Sequence, residues 1–271
     1  MDAVMTIFFL VTLIVIFWLA LAFFNTEAGV ETQHPKHIKR ALIIFPHPDD
    51  EALSCGGTIK LLQRQGAEVT LAVLTLGERG TKDGSASKKL AKVRSAEMRK
   101  SAKILGVDKL ILEDFGDGIL ATKESLLQKY VQKLLEDINP DLIITYDLSG
   151  LYGHEDHIAL SEIVTKLHVR FWAKKSRLWY VSLPNRLLKF IKLPEHMAKD
   201  PLFRTRRMAP THKVFILPFM LYKLRAFWAH QSQHEGFRSG LPLRSIIPAE
   251  FFYSTRIFEY FYEVTVPPIA R

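Results

Sequence analysis

Two clusters of His and Asp stand out from the rest of the chain. One is Pro46-His47-Pro48-Asp49-Asp50-Glu51 and the other is Gly153-His154-Glu155-Asp156-His157. A catalytic metal needs about three protein ligands and an open position for water. His47, Asp50 and His157 offer two imidazoles and a carboxylate. That is a common catalytic zinc set, and Fe²⁺ or another divalent ion accepts the same donors. Bound Zn²⁺ lowers the pKa of its water from 15.7 to about 7. Asp49 is left over beside Asp50, placed as the general base that takes the water's proton. His154, if protonated, would stabilise an oxyanion or protonate a leaving amine. Asp156 is placed to orient His154, and Tyr152 to donate a hydrogen bond to a tetrahedral intermediate. Each residue also has a plain reading. A lone His is usually a satisfied surface or core group, and Asp-Asp pairs often cap helices. Glu51 reads only as a cap or first-turn acid. The two clusters taken together carry the metal-site reading.

Residues so distant in sequence must be brought together by the fold. From Arg40 the chain alternates short apolar runs with amphipathic stretches. Ala41–Phe45, Glu68–Thr75, Leu110–Leu112 and Leu142–Thr145 read as strands, the continuous apolar runs suggesting buried parallel ones. Residues 52–65, 87–105, 123–138 and 156–168 read as helices, the second stopping at Gly106. Leu178–Val181 and Val214–Ile216 read as further strands, and Pro218–His234 as a helix with Pro at its start. This is an α/β class, Rossmann-like, with a mainly parallel sheet and helices on both faces. Ligands of such sheets bind beyond the carboxyl ends of the strands. Both His/Asp clusters follow predicted strands, which puts them on one rim.

The N-terminus is of a different kind. Residues 3–24 contain no charged side chain, and 22 residues make about 33 Å of helix, enough for the roughly 30 Å hydrocarbon core. A signal peptide wants a positive n-region and a shorter apolar stretch; here Asp2 is the only charge before the span, although Ala20-Leu21-Ala22 imitates a cleavage site. A buried core helix is the other competitor. The reading adopted is an uncleaved transmembrane anchor at 3–24, a polar linker at 25–39 and a catalytic domain from 40 to 271. Lys36, Lys39 and Arg40 follow the span, partly offset by Glu27 and Glu31. The positive-inside rule therefore places the domain in the cytoplasm.

Composition adds limits. One cysteine, Cys55, excludes an internal disulfide and argues against a thiolate metal cluster. The net charge of +9 belongs to the C-terminal part, where residues 166–271 hold 19 Lys/Arg and 6 Asp/Glu. Such a surface attracts nucleic acid, anionic lipid or phosphorylated substrates, or is simply a solvated face. No nucleic acid partner is expected. The segment Arg186–Lys192 mixes basic and apolar residues and suggests a membrane-facing surface. His230 and His234 stand at i, i+4 on a predicted helix, but lack the Glu of the protease pattern.

At its two clusters the sequence resembles the LmbE-like family, which includes GlcNAc-phosphatidylinositol de-N-acetylases and the deacetylases of mycothiol and bacillithiol synthesis. The family's His-Pro-Asp-Asp-Glu motif is matched by His47 through Glu51. Its His-x-Asp-His motif is matched by His154–His157, preceded by Tyr152-Gly153. Thr75-Leu76-Gly77-Glu78, the pair Arg94 and Glu97, and His230-Gln231-Ser232-Gln233 match further segments. The resemblance covers about residues 40–236 and leaves 237–271 unaligned. It implies zinc on His47, Asp50 and His157, with Asp49 as base and His154 as acid or oxyanion partner. It also implies substrate binding by Arg94 and by Asp117 in Phe115-Gly116-Asp117-Gly118. The implied reaction removes an N-acetyl group from an N-acetylglucosaminyl compound. The competing readings are a non-haem Fe(II) oxygenase, which uses the same two-His, one-carboxylate triad, and a non-catalytic membrane-tethered sugar- or lipid-binding protein.

Overall fold

The structure is a computed structural model describing residues 3–81, 83–188, 201–239 and 247–265. Helix α1, Ala3–Phe24, leads to a short strand β1, Glu31–Thr32. The alternating part follows as β2 (Arg40–Phe45), α2 (Asp50–Ser54), α3 (Gly56–Arg64), β3 (Glu68–Val73), α4 (Lys88–Leu105), β4 (Lys109–Leu112), α5 (Glu124–Ile138), β5 (Leu142–Tyr146), α6 (Glu155–Leu167) and β6 (Arg177–Ser182). Strands β7 (His212–Phe215) and β8 (Phe258–Glu263) complete one eight-stranded sheet, in the order β1-β7-β8-β6-β5-β2-β3-β4.

Strands β4, β3, β2, β5 and β6 are mutually parallel. β8 runs antiparallel to both β6 and β7 and joins them across the sheet. The chain winds from β2 outward through β3 to β4, then returns to the other side of β2 as β5. The β2–β5 boundary is therefore a topological switch point, where a crevice opens beyond the strand ends. Ile43 is in register with Ile144, and Phe45 with Val73. The residues after Phe45 and after Tyr146 consequently emerge together.

Why β2 reads as an unbroken apolar run is visible in the packing. Ala41, Ile43 and Phe45 face one core, against α3, α4 and the helix Met220–Ala229. Leu42 and Ile44 face the other, against α5 and α6. All five are fully buried. Each large apolar side chain contributes roughly 1.5–3 kcal/mol by leaving water.

Several expectations need correcting. The segment 25–39 is not wholly a linker, because Glu31 and Thr32 pair with His212 and Lys213. The helix expected over 52–65 breaks at Cys55. The one expected over 218–234 ends at Ala229, with His230 in a non-helical conformation (φ −86°, ψ 54°). His230 and His234 therefore do not share a helical face. β8 and the helix Ala249–Ser254 were not foreseen. α1 is not a core helix, since Ala22 is its only buried residue. Most of Arg186–Lys192 lies outside the described residues.

Candidate metal and active site

His47 follows β2 by two residues, and Asp50 opens α2. The peptide between them turns sharply, because Asp49 adopts a left-handed conformation (φ 117°). The turn is held by the His47 N–H, which donates to Asp50 Oδ2 at 2.9 Å. His157 comes from the first turn of α6, after β5. His47 Nδ1 and His157 Nε2 are 3.1 Å apart. Asp50 Oδ2 lies 3.7 Å from His47 Nδ1, and Asp50 Oδ1 lies 3.5 Å from His157 Nε2. The three residues expected as ligands thus converge with donor atoms facing one another, and all are buried. Burial raises the Asp50 carboxyl to about 7. Burial, reinforced by the neighbouring His47 and His154, keeps His157 well below its usual range and so neutral. Two imidazole nitrogens and a carboxylate drawn together in this way are donor chemistry that a divalent cation accepts, and His47 also belongs to two further groups close enough to hold one, with His154 and His157 and with Asp117 and Asp156.

The groups around these three fix their orientation. His157 Nδ1 lies 3.2 Å from the Gly150 carbonyl, which directs Nε2 inward. Tyr146 donates its hydroxyl to Asp50 Oδ1 at 2.7 Å and stacks on the His157 ring at 4.2 Å. His47 Nε2 lies 3.1 Å from both Asp117 Oδ1 and Asp156 Oδ2. Burial opposes charge on His47, but hydrogen bonds to Asp117 and Asp156 outweigh it and raise its pKa to about 10. A carboxylate behind an imidazole in this way holds the Nε2 proton, so a metal ion that displaced the other proton would find Nδ1 already aimed at it.

Asp156 was expected to orient His154, and its carboxylate points elsewhere. Its oxygens take the His47 ring and the N–H groups of Gly118 (2.6 Å) and Leu120 (2.9 Å). The backbone N–H of Asp156, not its carboxylate, meets His154, donating to Nδ1 at 3.2 Å. The reason is the start of α6: His154 is its N-cap, and caps the N–H two residues on. Asp117 was expected as a sugar contact. It touches His47 and accepts from the Arg79 N–H at 2.9 Å, which places it beside the proposed ligands as well as on the cavity wall.

Arg94 was expected to bind substrate. It is buried, and its guanidinium pairs with Asp49 Oδ2 at 2.9 Å and donates to the carbonyls of Pro48 and Gly77. A side chain on Gly77 would overlap this guanidinium, and Gly77 also has φ +65°, so glycine is required there twice over. Arg94 Nε has no partner among the described residues. Burial raises the Asp49 carboxyl, while Arg94 opposes that shift.

A cavity of about 320 Å³ opens over this group, with His47, Asp49, Arg94, Asp117, Tyr152 and His154 on its walls. Tyr152 is 38% exposed, its ring edge-on to His157 at 5.0 Å. The His154 ring sits 4.6 Å from that of His47. Every residue expected at the site lies in or directly behind this cavity.

The sequence reads Glu51 only as a helix starter, and the structure gives it more to do. It is fully buried, accepts from the Asp49 N–H at 3.1 Å, and takes Ser101 Oγ and His230 Nε2 on its other oxygen. Burial alone would push this carboxyl up, but His230 and Ser101 hold it below its usual range. Glu51 therefore ties the strained Asp49 turn to α4 and to the end of the helix Met220–Ala229. The signal was present as His230 in the His-x-Ser-Gln segment, but its partner could not be read from spacing. We expect Glu51→Ala to lower the unfolding free energy by about 3–5 kcal/mol, because His230 and the Asp49 N–H lose a buried acceptor. Urea denaturation measures this, and a loss below about 1 kcal/mol would show that the cluster does not hold the turn.

Comparison with known proteins gives a consistent result. Residues 42–168 match the family model described as GlcNAc-PI de-N-acetylase (PIG-L). A Bacillus anthracis protein named as a probable N-acetyl-α-D-glucosaminyl L-malate deacetylase 2 is 30% identical over 212 residues, covering 73% of this chain and 83% of that one. The diacetylchitobiose deacetylase of Thermococcus kodakarensis is 35% identical over 201 residues, covering 72% of this chain and 70% of its own length. Among solved structures, the N,N′-diacetylchitobiose deacetylase of Pyrococcus horikoshii superposes with a TM-score of 0.63 at 25% identity, covering 86% of this chain and 88% of that one.

Proposed function

This chain belongs to the GlcNAc-PI de-N-acetylase (PIG-L, LmbE-like) family, whose named relatives are amide hydrolases, and from that premise we propose that it is a membrane-anchored, zinc-dependent N-deacetylase of an N-acetylglucosaminyl substrate. Membership sets aside the oxygenase and the purely binding readings. The observation that carries the metal-dependent part is the meeting of His47, Asp50 and His157 within 3.1–3.7 Å of one another beside Asp49. These three residues would hold the ion. Bound there, a divalent cation supplies Lewis-acid polarisation of the amide carbonyl and makes water acidic enough to lose a proton near neutral pH.

The chain's own groups do the rest. Asp49 Oδ2 is held by Arg94 and the residue lines the cavity, so we assign its carboxylate to take the proton of the attacking water. His154 accepts the Asp156 N–H at Nδ1, so its own proton sits on Nε2. An Nε2–H donor in the cavity suits stabilisation of the oxyanion, and of the two roles considered for His154 this is the one we assign. The Asp49 carboxyl then returns its proton to the departing amine, giving acetate and the free amino sugar. Tyr152, Arg94 and Asp117 line the space left for the sugar.

We assign Ala3–Phe24 as an uncleaved anchor. Its mean hydropathy is 3.0 over the best window, and cleavage after Ala22 would fall at a residue only 4% exposed. Lys36, Lys39 and Arg40 after the span favour a cytoplasmic catalytic domain beginning near residue 40.

The whole reading is tested with the full-length protein in detergent and N,N′-diacetylchitobiose as probe. Acetate release should accompany about one bound metal per chain, cease with a chelator and return when zinc is restored. Undiminished turnover in metal-stripped protein would sink it.

A further inference from the structure

One face of α1 is not free. The Phe17 ring stacks on Phe251 at 5.8 Å, and Trp18 Nε1 donates to Ser254 Oγ at 2.9 Å. Leu21, like Leu183 and Phe251, packs against the buried pair Ile247 and Phe252, and Asn25 Nδ2 donates to the buried Thr255 Oγ1 at 2.7 Å. Positions 17/18, 21/22 and 25 recur at helical spacing, so this is one stripe, seated on the helix Ala249–Ser254 and its surroundings. Below it, the large side chains from Ile7 to Ile16 are 46–74% exposed.

The lengths then decide where the domain sits. Ala3–Ile16 spans about 21 Å, well short of the roughly 30 Å hydrocarbon core. If α1 crosses the bilayer, its last two turns must enter the membrane too, and they carry the helix Ala249–Ser254 with them. Trp18 lies six residues, about 9 Å, from the end of α1 at Phe24. That depth matches the roughly 5–10 Å by which interfacial helices sink into the headgroup–acyl boundary. The side chains fit those levels. Trp18 stands where an aromatic belt residue stands, with an apolar body and a satisfied N–H. The exposed Arg186 places its guanidinium over the Phe23 and Phe24 rings, at 5.8 and 5.1 Å, level with the headgroups.

We propose that the helix Ala249–Ser254 rests in the headgroup–acyl boundary of the phospholipid bilayer, so that the catalytic domain lies against the membrane beside its anchor and does not hang from a linker. This rests on the anchor reading of α1, and the experiment separates the two. Cys55 is fully buried, so an introduced surface cysteine is the accessible thiol. Leu10→Cys, Phe251→Cys, Pro248→Cys and Lys129→Cys are each labelled with an environment-sensitive fluorophore, and the full chain is placed in phosphatidylcholine–phosphatidylglycerol vesicles. Pro248 is exposed at the start of the helix, so that variant removes no packed ring, and Lys129 is exposed on α5. Labels at 248 and 251 should be quenched by shallow lipid-borne quenchers at least about twofold more than by aqueous iodide, and the label at 129 only by iodide. If the label at 10 is lipid-quenched while 248 and 251 behave like 129, the docking proposal is overturned and the anchor stands. If the label at 10 is also reached by iodide alone, the anchor reading fails and the docking falls with it.

Discussion

Replacing His47 by Ala is expected to cost the protein its metal and its acetate release together. Nδ1 of His47 is the nitrogen turned toward Asp50 and His157, and Nε2 is the one fixed by Asp117 and Asp156. Substitutions behind a metal ligand typically lower metal affinity or activity about 10–100-fold, and loss of the ligand itself should exceed that. The measurement pairs metal content after gel filtration with the initial rate of acetate release. His157→Ala should behave alike, because it removes the other imidazole without leaving Asp117 and Asp156 facing an empty position. Both variants should keep the far-ultraviolet signature of the fold, since the two cores lie on the sheet faces away from the rim. Full metal occupancy with normal rates in either variant would refute the ligand assignment.

The contrast between what was and was not legible in the sequence has physical causes. Parallel strands buried on both faces write themselves as apolar runs, so β2, β3 and β5 were readable. The switch-point rule then puts His47 and His157 on one rim from the sequence alone. β8 was missed because Phe258-Glu259-Tyr260-Phe261-Tyr262-Glu263 carries acids where a core strand should be apolar. The fold accepts Glu259 because it is fully occupied. It accepts the N–H groups of Gly57 and Thr58 at the start of α3 and pairs with Lys223 at 2.5 Å. None of those partners is near it in sequence. Directions of side chains were the other failure. Asp156 lies two residues from His154, and proximity suggested a pair, but the capping geometry of α6 sends its carboxylate to His47 instead. Glu51 and His230 failed for the same reason, being 179 residues apart. Sequence spacing finds partners that share an element; it is silent on those brought together by packing.

The second large effect separates chemistry from metal binding. Asp49→Asn should retain the metal and lose turnover. The Asp49 carboxylate is directed to Arg94 and the cavity, whereas its neighbour Asp50 faces the two imidazoles. The roles proposed for these adjacent acids therefore differ, and the left-handed turn at Asp49 is what points them apart. Asparagine preserves size and can still accept from Arg94, but its amide cannot take a proton from water. General-base catalysis contributes about 10²–10⁴-fold, so kcat should fall within that range. KM should change little, because the cavity wall is otherwise unaltered. A fall in kcat and kcat/KM by a common factor marks a group needed in the transition state and not for binding. Metal analysis on the same sample supplies the other half, with occupancy equal to that of the unaltered protein. Loss of metal in Asp49→Asn would place this carboxylate among the ligands. Undiminished kcat would move the base elsewhere, with Asp117, the other acid on the cavity wall, as the next position to substitute.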